Sequence, residues 1–169
     1  MTSAGLLLLP VALAQLATGA LAGRLGTRIG FRTVLATGAA LTSASFVILA
    51  LAHGEVVEIL GAGVLLGAGI SFAFAAMANL IVAAVPQSDV GIATGINTVM
   101  RTVGGSFGAA LATAILAGSA GAGGLPTEGA YTAAFALSAA AGVAAIGAAL
   151  LVPRPASAAP RTSPLTEST

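Results

Sequence analysis

The amino-acid sequence predicts an all-α membrane protein of about five transmembrane helices. Composition is the first of three observations behind this: of 169 residues 57% are hydrophobic and only 7% charged, with a mean hydropathy of +1.05, whereas a water-soluble domain carries about 25% charged residues. The second is the presence of five apolar runs, each near the roughly 20 residues that a helix needs to cross a bilayer. The third is the placement of arginine. Five of the six follow the first or the fifth run, at positions 24, 28, 32, 154 and 161, and none lies between the second and third runs or between the fourth and fifth.

The first span is expected over 4–22, a run opening Ala4-Gly5-Leu6-Leu7-Leu8-Leu9-Pro10. Ala12-Leu13-Ala14 and Ala20-Leu21-Ala22 resemble small-residue cleavage sites. A signal peptide, however, carries its positive charge before the apolar stretch, and here nothing before Arg24 is basic. Pro10 within the run is tolerated, because neighbouring helices re-satisfy the freed carbonyl in lipid. The segment Gly23 to Arg32 then reads as a short basic loop holding half of the arginines. A second span follows at 33–52 and ends at His53-Gly54-Glu55; a third covers 56–85 and is stopped by Pro86. Its length implies tilt or an extension beyond the bilayer. Pro86 to Val90 forms a short turn, and a fourth, glycine-rich span covers 91–117. A glycine- and alanine-rich loop leads to the fifth span, 129–152, which stops at Pro153. Residues 1–152 therefore read as one helical bundle. Residues 153–169, rich in Pro, Ser, Thr and Ala, read as a disordered tail.

Short basic loops between spans stay in the cytoplasm, so Gly23 to Arg32 fixes the side of every other loop by alternation. All five loop and tail arginines then fall inside, and Glu55, Glu58 and Glu128 fall at or near the outside. The expected location is the cell (inner or plasma) membrane, multi-pass, with the N-terminus outside and the C-terminus cytoplasmic. With no cysteine, disulfides and thiolate metal sites are excluded. A net charge of +1 gives no footprint for a nucleic-acid partner, and neither a metal nor a cofactor is expected.

Small residues recur four apart at Gly19/Gly23, Gly63/Gly67/Ser71/Ala75, Gly91/Gly95 and Gly104/Gly108/Ala112. No hydrophobic force drives helices together in lipid, so close backbone approach through small residues supplies much of the contact. Gly63, Gly67, Gly104 and Gly108 are accordingly expected to pack helices. Two enzyme-like strings fail on context. Gly61-Ala62-Gly63 with Gly67 resembles a dinucleotide turn, yet the apolar run continues to Val85 where that unit needs a strand, a turn and a later acid. Gly104-Gly105-Ser106-Phe107-Gly108 has the letters of a nucleophile elbow, but the single histidine, His53, sits at a span end. No enzymatic activity is expected.

Polar residues inside spans are expensive and mark function by default. Arg101 is the one charge well within a span, about 15 Å along the helix from Gly91, and Asn97 lies one turn earlier on the same face. A guanidinium that snorkels to the headgroups is the alternative. Gln15 and Asn79 are the further candidates for lining a polar cavity, or else for hydrogen-bonded packing.

Three places then resemble one family. They are the opening Ala4 to Pro10; the basic segment Gly23 to Arg32; and Pro86 through Gly91-Ile92-Ala93-Thr94-Gly95-Ile96-Asn97 to Arg101, Gly104, Gly105 and Gly108. Together they look like the C-terminal bundle of a major facilitator superfamily transporter, specifically the drug:proton antiporter group with fourteen helices. The basic segment resembles the family signature Gly-x-Leu-x-Asp-Arg-x-Gly-Arg-Arg: Gly23, Leu25, Arg28, Gly30 and Arg32 match, whereas Thr27 replaces the acid and Phe31 an arginine.

The resemblance implies a cytoplasmic gate loop at those five residues. It also implies the C-terminal portion of a proton-coupled multidrug efflux transporter, with small amphipathic compounds as substrates. Such transporters bind substrate near the midplane between two halves, and five spans cannot supply both. No span here holds an Asp or Glu at mid-membrane to carry a proton. The expectation is thus a fragment that cannot transport alone, whose partners are the lipid bilayer and a missing N-terminal half, or further copies of itself. A small self-associating membrane scaffold or accessory subunit is the alternative.

Overall fold

A computed structural model of the chain describes residues 2–52, 54–119 and 126–152, with side chains of the first helix described from Ala12 onward. His53, the loop 120–125 and the tail 153–169 lie outside the described residues. Five helices follow one another: α1 Thr2–Ile29, α2 Phe31–Leu51, α3 Val56–Ala84, α4 Val90–Gly118 and α5 Glu128–Leu151. Among the described residues α2, α3, α4 and α5 are each long and apolar enough to cross a membrane. The all-helical fold class, with five helices, is therefore as the sequence predicts.

The basic segment is the exception. Instead of a ten-residue loop, α1 continues as helix through Ile29, and only Gly30 leaves helical geometry before α2 begins at Phe31. Arginine and leucine are good helix formers, the Thr27 hydroxyl donates to the Arg24 carbonyl at 2.8 Å, and Leu25 packs against the core beside Ala22. Burial along one face thus carries the helix past the charges, which sit on the other face: Arg24 and Arg28 are exposed. Gly30 has φ 88° and ψ 140°, a conformation that residues with a Cβ rarely adopt. The connection is a one-residue hinge.

Two pairs of contacts set the register of α2. Its face Val34, Gly38, Leu41 and Ser45, spaced four, three and four apart, meets α3. The Ser45 hydroxyl donates to the Ala62 carbonyl at 2.7 Å. A Cβ built on Gly38 would lie 2.7 Å from the Gly69 carbonyl oxygen and the Ala73 amide nitrogen. The two antiparallel backbones therefore touch. On a second face, Ser43 donates to the Ala139 carbonyl of α5 at 2.9 Å, and a Cβ on Gly142 would strike Ser43. At the start of α2, Arg32 donates to the Leu150 carbonyl near the end of α5, where a helix leaves carbonyls without intrahelical partners.

α1 runs parallel to α3. Ala22 packs with Val34, Phe72 and Ala76 in the core, and Ser71 of α3 donates to the Gln15 carbonyl of α1 at 2.9 Å. The buried set is small-residue throughout, with Val34 and Phe72 its bulkiest members. Leu51, Phe107 and Leu151 lie outward and exposed. This is the inside-out distribution expected where lipid, and not water, surrounds the bundle.

The helix ends sort the charges. Arg24, Arg28, the Gly30 hinge, the turn 85–89 and the end of α5 share what is here called the arginine end. Glu58 at the opposite end accepts from the backbone N–H groups of Gly54 and Glu55 at 3.2 Å and so caps α3. α4 touches α3 and α5 only lightly and buries none of its residues.

Candidate functional site: a cleft at mid-depth

Gln15 lies 14 residues, or about 21 Å of helix, from the arginine end of α1. Ser71 and Phe74 lie about 20 and 15 Å from the matching end of α3, and Arg101 about 17 Å from the start of α4. All four are thus near the middle of a layer about 30 Å thick. There they come together. Gln15, Leu16, Gly19, Ile70, Ser71 and Phe74 line a cleft of about 560 Å³ between α1 and α3, and the Arg101 guanidinium carbon sits 4.4 Å above the centre of the Phe74 ring.

That stacking places the guanidinium against α3, in a cation–π contact with the Phe74 ring. The Ser71 hydroxyl is committed to the Gln15 backbone, which leaves the Gln15 amide exposed on the wall of the cleft. Apolar walls with a few placed polar groups are the usual chemistry of a small-molecule site. Here the groups are one amide and one guanidinium against leucine, isoleucine and phenylalanine.

The remaining candidates fall elsewhere. Asn79 is exposed and donates to its own Ala75 carbonyl at 2.8 Å, one turn back; it does not line the cleft. Asn97 is half-exposed on α4, one turn from Arg101, and lines no described cavity. Of the five signature residues, Gly23 is half-buried in α1, Leu25 packs on the core, Arg28 is exposed, Gly30 is the hinge and Arg32 holds the end of α5. The expected gate loop is therefore a continuous helical corner.

Of the glycines expected to pack helices, Gly67 is buried and Gly63 half-buried in α3. Gly104 and Gly108 do not pack within this chain, because a Cβ on either would meet nothing within 4 Å. The same is true of Gly91, Gly95 and Gly105, so all of the front of α4 is open. The closest crossings instead use Gly38, Gly69 and Gly142, which the four-residue spacing did not single out. Ser71 was legible as a small residue in the α3 series. Phe74 carried no signal beyond its position three residues after Ser71 on the same face.

The sequence model of the Major Facilitator Superfamily matches residues 1–168. No curated protein and no solved structure matches the chain. With a match over nearly its whole length and a bundle of membrane-length helices, the chain belongs to the major facilitator superfamily, whose members are multi-pass membrane transporters.

Proposed function

We propose that the chain is the C-terminal portion of a proton-coupled multidrug efflux transporter of the drug:proton antiporter group, which moves small amphipathic compounds and requires a further half to do so. The observation that carries this reading is the cleft walled by Gln15, Ser71 and Phe74, with Arg101 stacked at its edge, beside a helix that buries nothing. In transporters built from repeats, the substrate site lies near the midplane at the interface between them. The open glycine face of α4 and the cleft between α1 and α3 are the surfaces left for the other half.

In this account the apolar wall holds the hydrophobic body of the substrate, and the Gln15 amide and Arg101 guanidinium donate hydrogen bonds to an acceptor group on it. The described carboxylates, Glu55, Glu58, Asp89 and Glu128, all stand at helix ends. A proton carrier at mid-depth comes from the other half. The Gly30 hinge and the arginine end face the cytoplasm in this reading, by the charge rule, and the chain performs no chemistry on its substrate.

The open face of α4 also favours a second reading, in which two copies dock through Gly104 and Gly108 as a self-associating scaffold. Reading the coding DNA upstream of Met1 separates the two. An in-frame continuation with further spans and a membrane-embedded acid supports the transporter. In that complete protein Arg101→Ala is expected to reduce efflux at normal membrane abundance. A stop codon and a ribosome-binding site immediately before Met1 sink the fragment reading and favour self-association.

A further inference from the structure

A further cavity lies away from the mid-depth cleft, at the arginine end between the α1–α2 corner and α5. It has a volume of about 810 Å³. Its mouth is polar: Thr27, Arg32 and Thr33 surround the Gly30 hinge. Its inner part is mainly apolar, formed by Ala36 and Ala40 of α2 and by Ile146 and Leu150 of α5, and the one hydroxyl there, that of Thr37, donates to the Thr33 carbonyl of its own helix at 2.9 Å. From Gly30 to Ala40 the groove runs about 15 Å along the helix, from a charged mouth to a mainly apolar inner end.

Charge adds an independent constraint. Arg32 spends one of its five N–H donors on the Leu150 carbonyl. Arg24 and Arg28 stand exposed on the neighbouring turns. Of the described carboxylates, Glu55 and Glu58 belong to the opposite end and Glu128 begins α5 there. Asp89, in the α3–α4 turn, accepts from Ser88 at 3.0 Å. Among the described residues, no carboxylate pairs with any of these three arginines. A cationic mouth continuous with an apolar groove fits a ligand with a phosphate at one end and a hydrocarbon chain at the other.

We infer that this cavity is a binding site for an anionic glycerophospholipid, with its phosphate at Arg32 and Thr33 and the upper part of one acyl chain along Ala36, Ala40 and Ile146. Basic pockets between membrane helices bind lipid headgroups of this kind. Free phosphate shares the headgroup chemistry but has no use for the apolar groove. The lipid bridges the one-residue hinge to the end of α5, so its occupancy braces the corner at which α1 and α2 meet.

Native mass spectrometry of the full chain in mild detergent tests this, with phosphatidylglycerol and phosphatidylcholine of identical acyl chains as probes. Phosphatidylglycerol is expected to stay bound one to one at collision energies that strip phosphatidylcholine. Arg32→Gln is expected to weaken it by about tenfold or more. Arg24→Gln removes the same charge from the same end but lies outside the cavity, and is expected to leave binding near wild type. Ala40→Phe fills the groove and is expected to displace the lipid without touching a charge.

Equal retention of the two lipids overturns the inference, as does equal weakening by Arg24→Gln and Arg32→Gln, which would reflect surface charge alone. Inorganic phosphate that displaces phosphatidylglycerol, combined with an Ala40→Phe variant that still binds it, would mark a free-phosphate site and also overturn it. Should Arg32→Gln fail to fold through loss of its bond to Leu150, Thr33→Val and Ala40→Phe decide the matter. Both reducing retention supports the site, and both binding as wild type removes it.

Discussion

Gly69→Ala is the sharpest test of how the bundle is held together. A Cβ added to Gly69 would stand 2.8 Å from the Gly38 carbonyl oxygen and the Thr42 amide nitrogen, and 2.5 Å from the Thr42 hydroxyl. The hydroxyl can rotate, but the two backbone atoms cannot. Restoring ordinary contact of 3.4 Å requires α2 and α3 to part by about 0.6 Å at this crossing, and a gap of that size forfeits about a quarter to a half of each dispersion contact along it. The Ser45 bond to Ala62, now 2.7 Å, stretches with it. Overpacking of this kind costs about 1–3 kcal/mol.

The substitution also gains helix propensity, about 1 kcal/mol in water, so a control is needed. Gly61→Ala supplies one: it is the same change in the same helix, at an exposed position with nothing within 4 Å. The propensity gain is common to both variants, and the difference between them isolates the crossing. Unfolding of the full chain in detergent micelles, followed by helical circular dichroism, is expected to place Gly69→Ala about 1–3 kcal/mol below Gly61→Ala. Equal stabilities would mean that the α2–α3 crossing is looser than described, and the packing account would fail.

Three further outcomes are expected. Gly30→Ala forces a residue with a Cβ into φ 88° and is expected to destabilise the chain by about 1–3 kcal/mol; an unchanged midpoint in the same assay would show that the corner relaxes freely. Cysteine substitutions, introduced singly into a chain that has none, report sidedness. Thr27→Cys is expected to react with an impermeant maleimide from the cytoplasmic side and Val57→Cys from the opposite side, and the reverse pattern would refute the orientation. Ser45→Ala removes a buried hydroxyl donor and is expected to cost about 0.6–1 kcal/mol, with no loss indicating that the Ala62 carbonyl finds another donor.

The number and order of the helices were legible because each span is an apolar run of membrane length, bounded by charge, glycine or proline. The corner at Gly30 was not. Arginine reads as a loop signal beside apolar runs, but it is also a good helix former, and the burial of Leu25 decides between the two. Glycine spacing misled in the opposite direction. With 23 glycines in the chain, four-residue spacings occur on faces that pack and on faces that do not. Gly38 and Gly69 meet a neighbouring backbone, whereas Gly104 and Gly108 meet nothing, and the difference is that α4 as a whole is barely packed against the other helices.

The cleft was half legible. Gln15 and Arg101 announce themselves as polar groups in apolar spans, since desolvation makes them costly. What joins them is Phe74, and one phenylalanine among many apolar residues carries no mark in the sequence. Only the parallel packing of α1 on α3 and the antiparallel turn into α4 bring those residues to one depth. Asn79 was an equally good candidate by composition, but its amide is turned to its own helix.

The most direct test of the central claim, that the mid-depth cleft is a substrate path, places a thiol in it. Leu16 lines the cleft and is 75% exposed, so Leu16→Cys probes the wall without disturbing the Ser71 bond. In native membranes, with the chain in its assembled form, this cysteine is expected to react with a water-soluble maleimide. Amphipathic efflux substrates are expected to slow that reaction about tenfold while leaving labelling at Thr27→Cys unaffected. A thiol at position 16 that stays unreactive while the one at 27 reacts, or that reacts equally with and without substrate, would contradict the account, because the cleft would then be a surface for lipid or for helix packing.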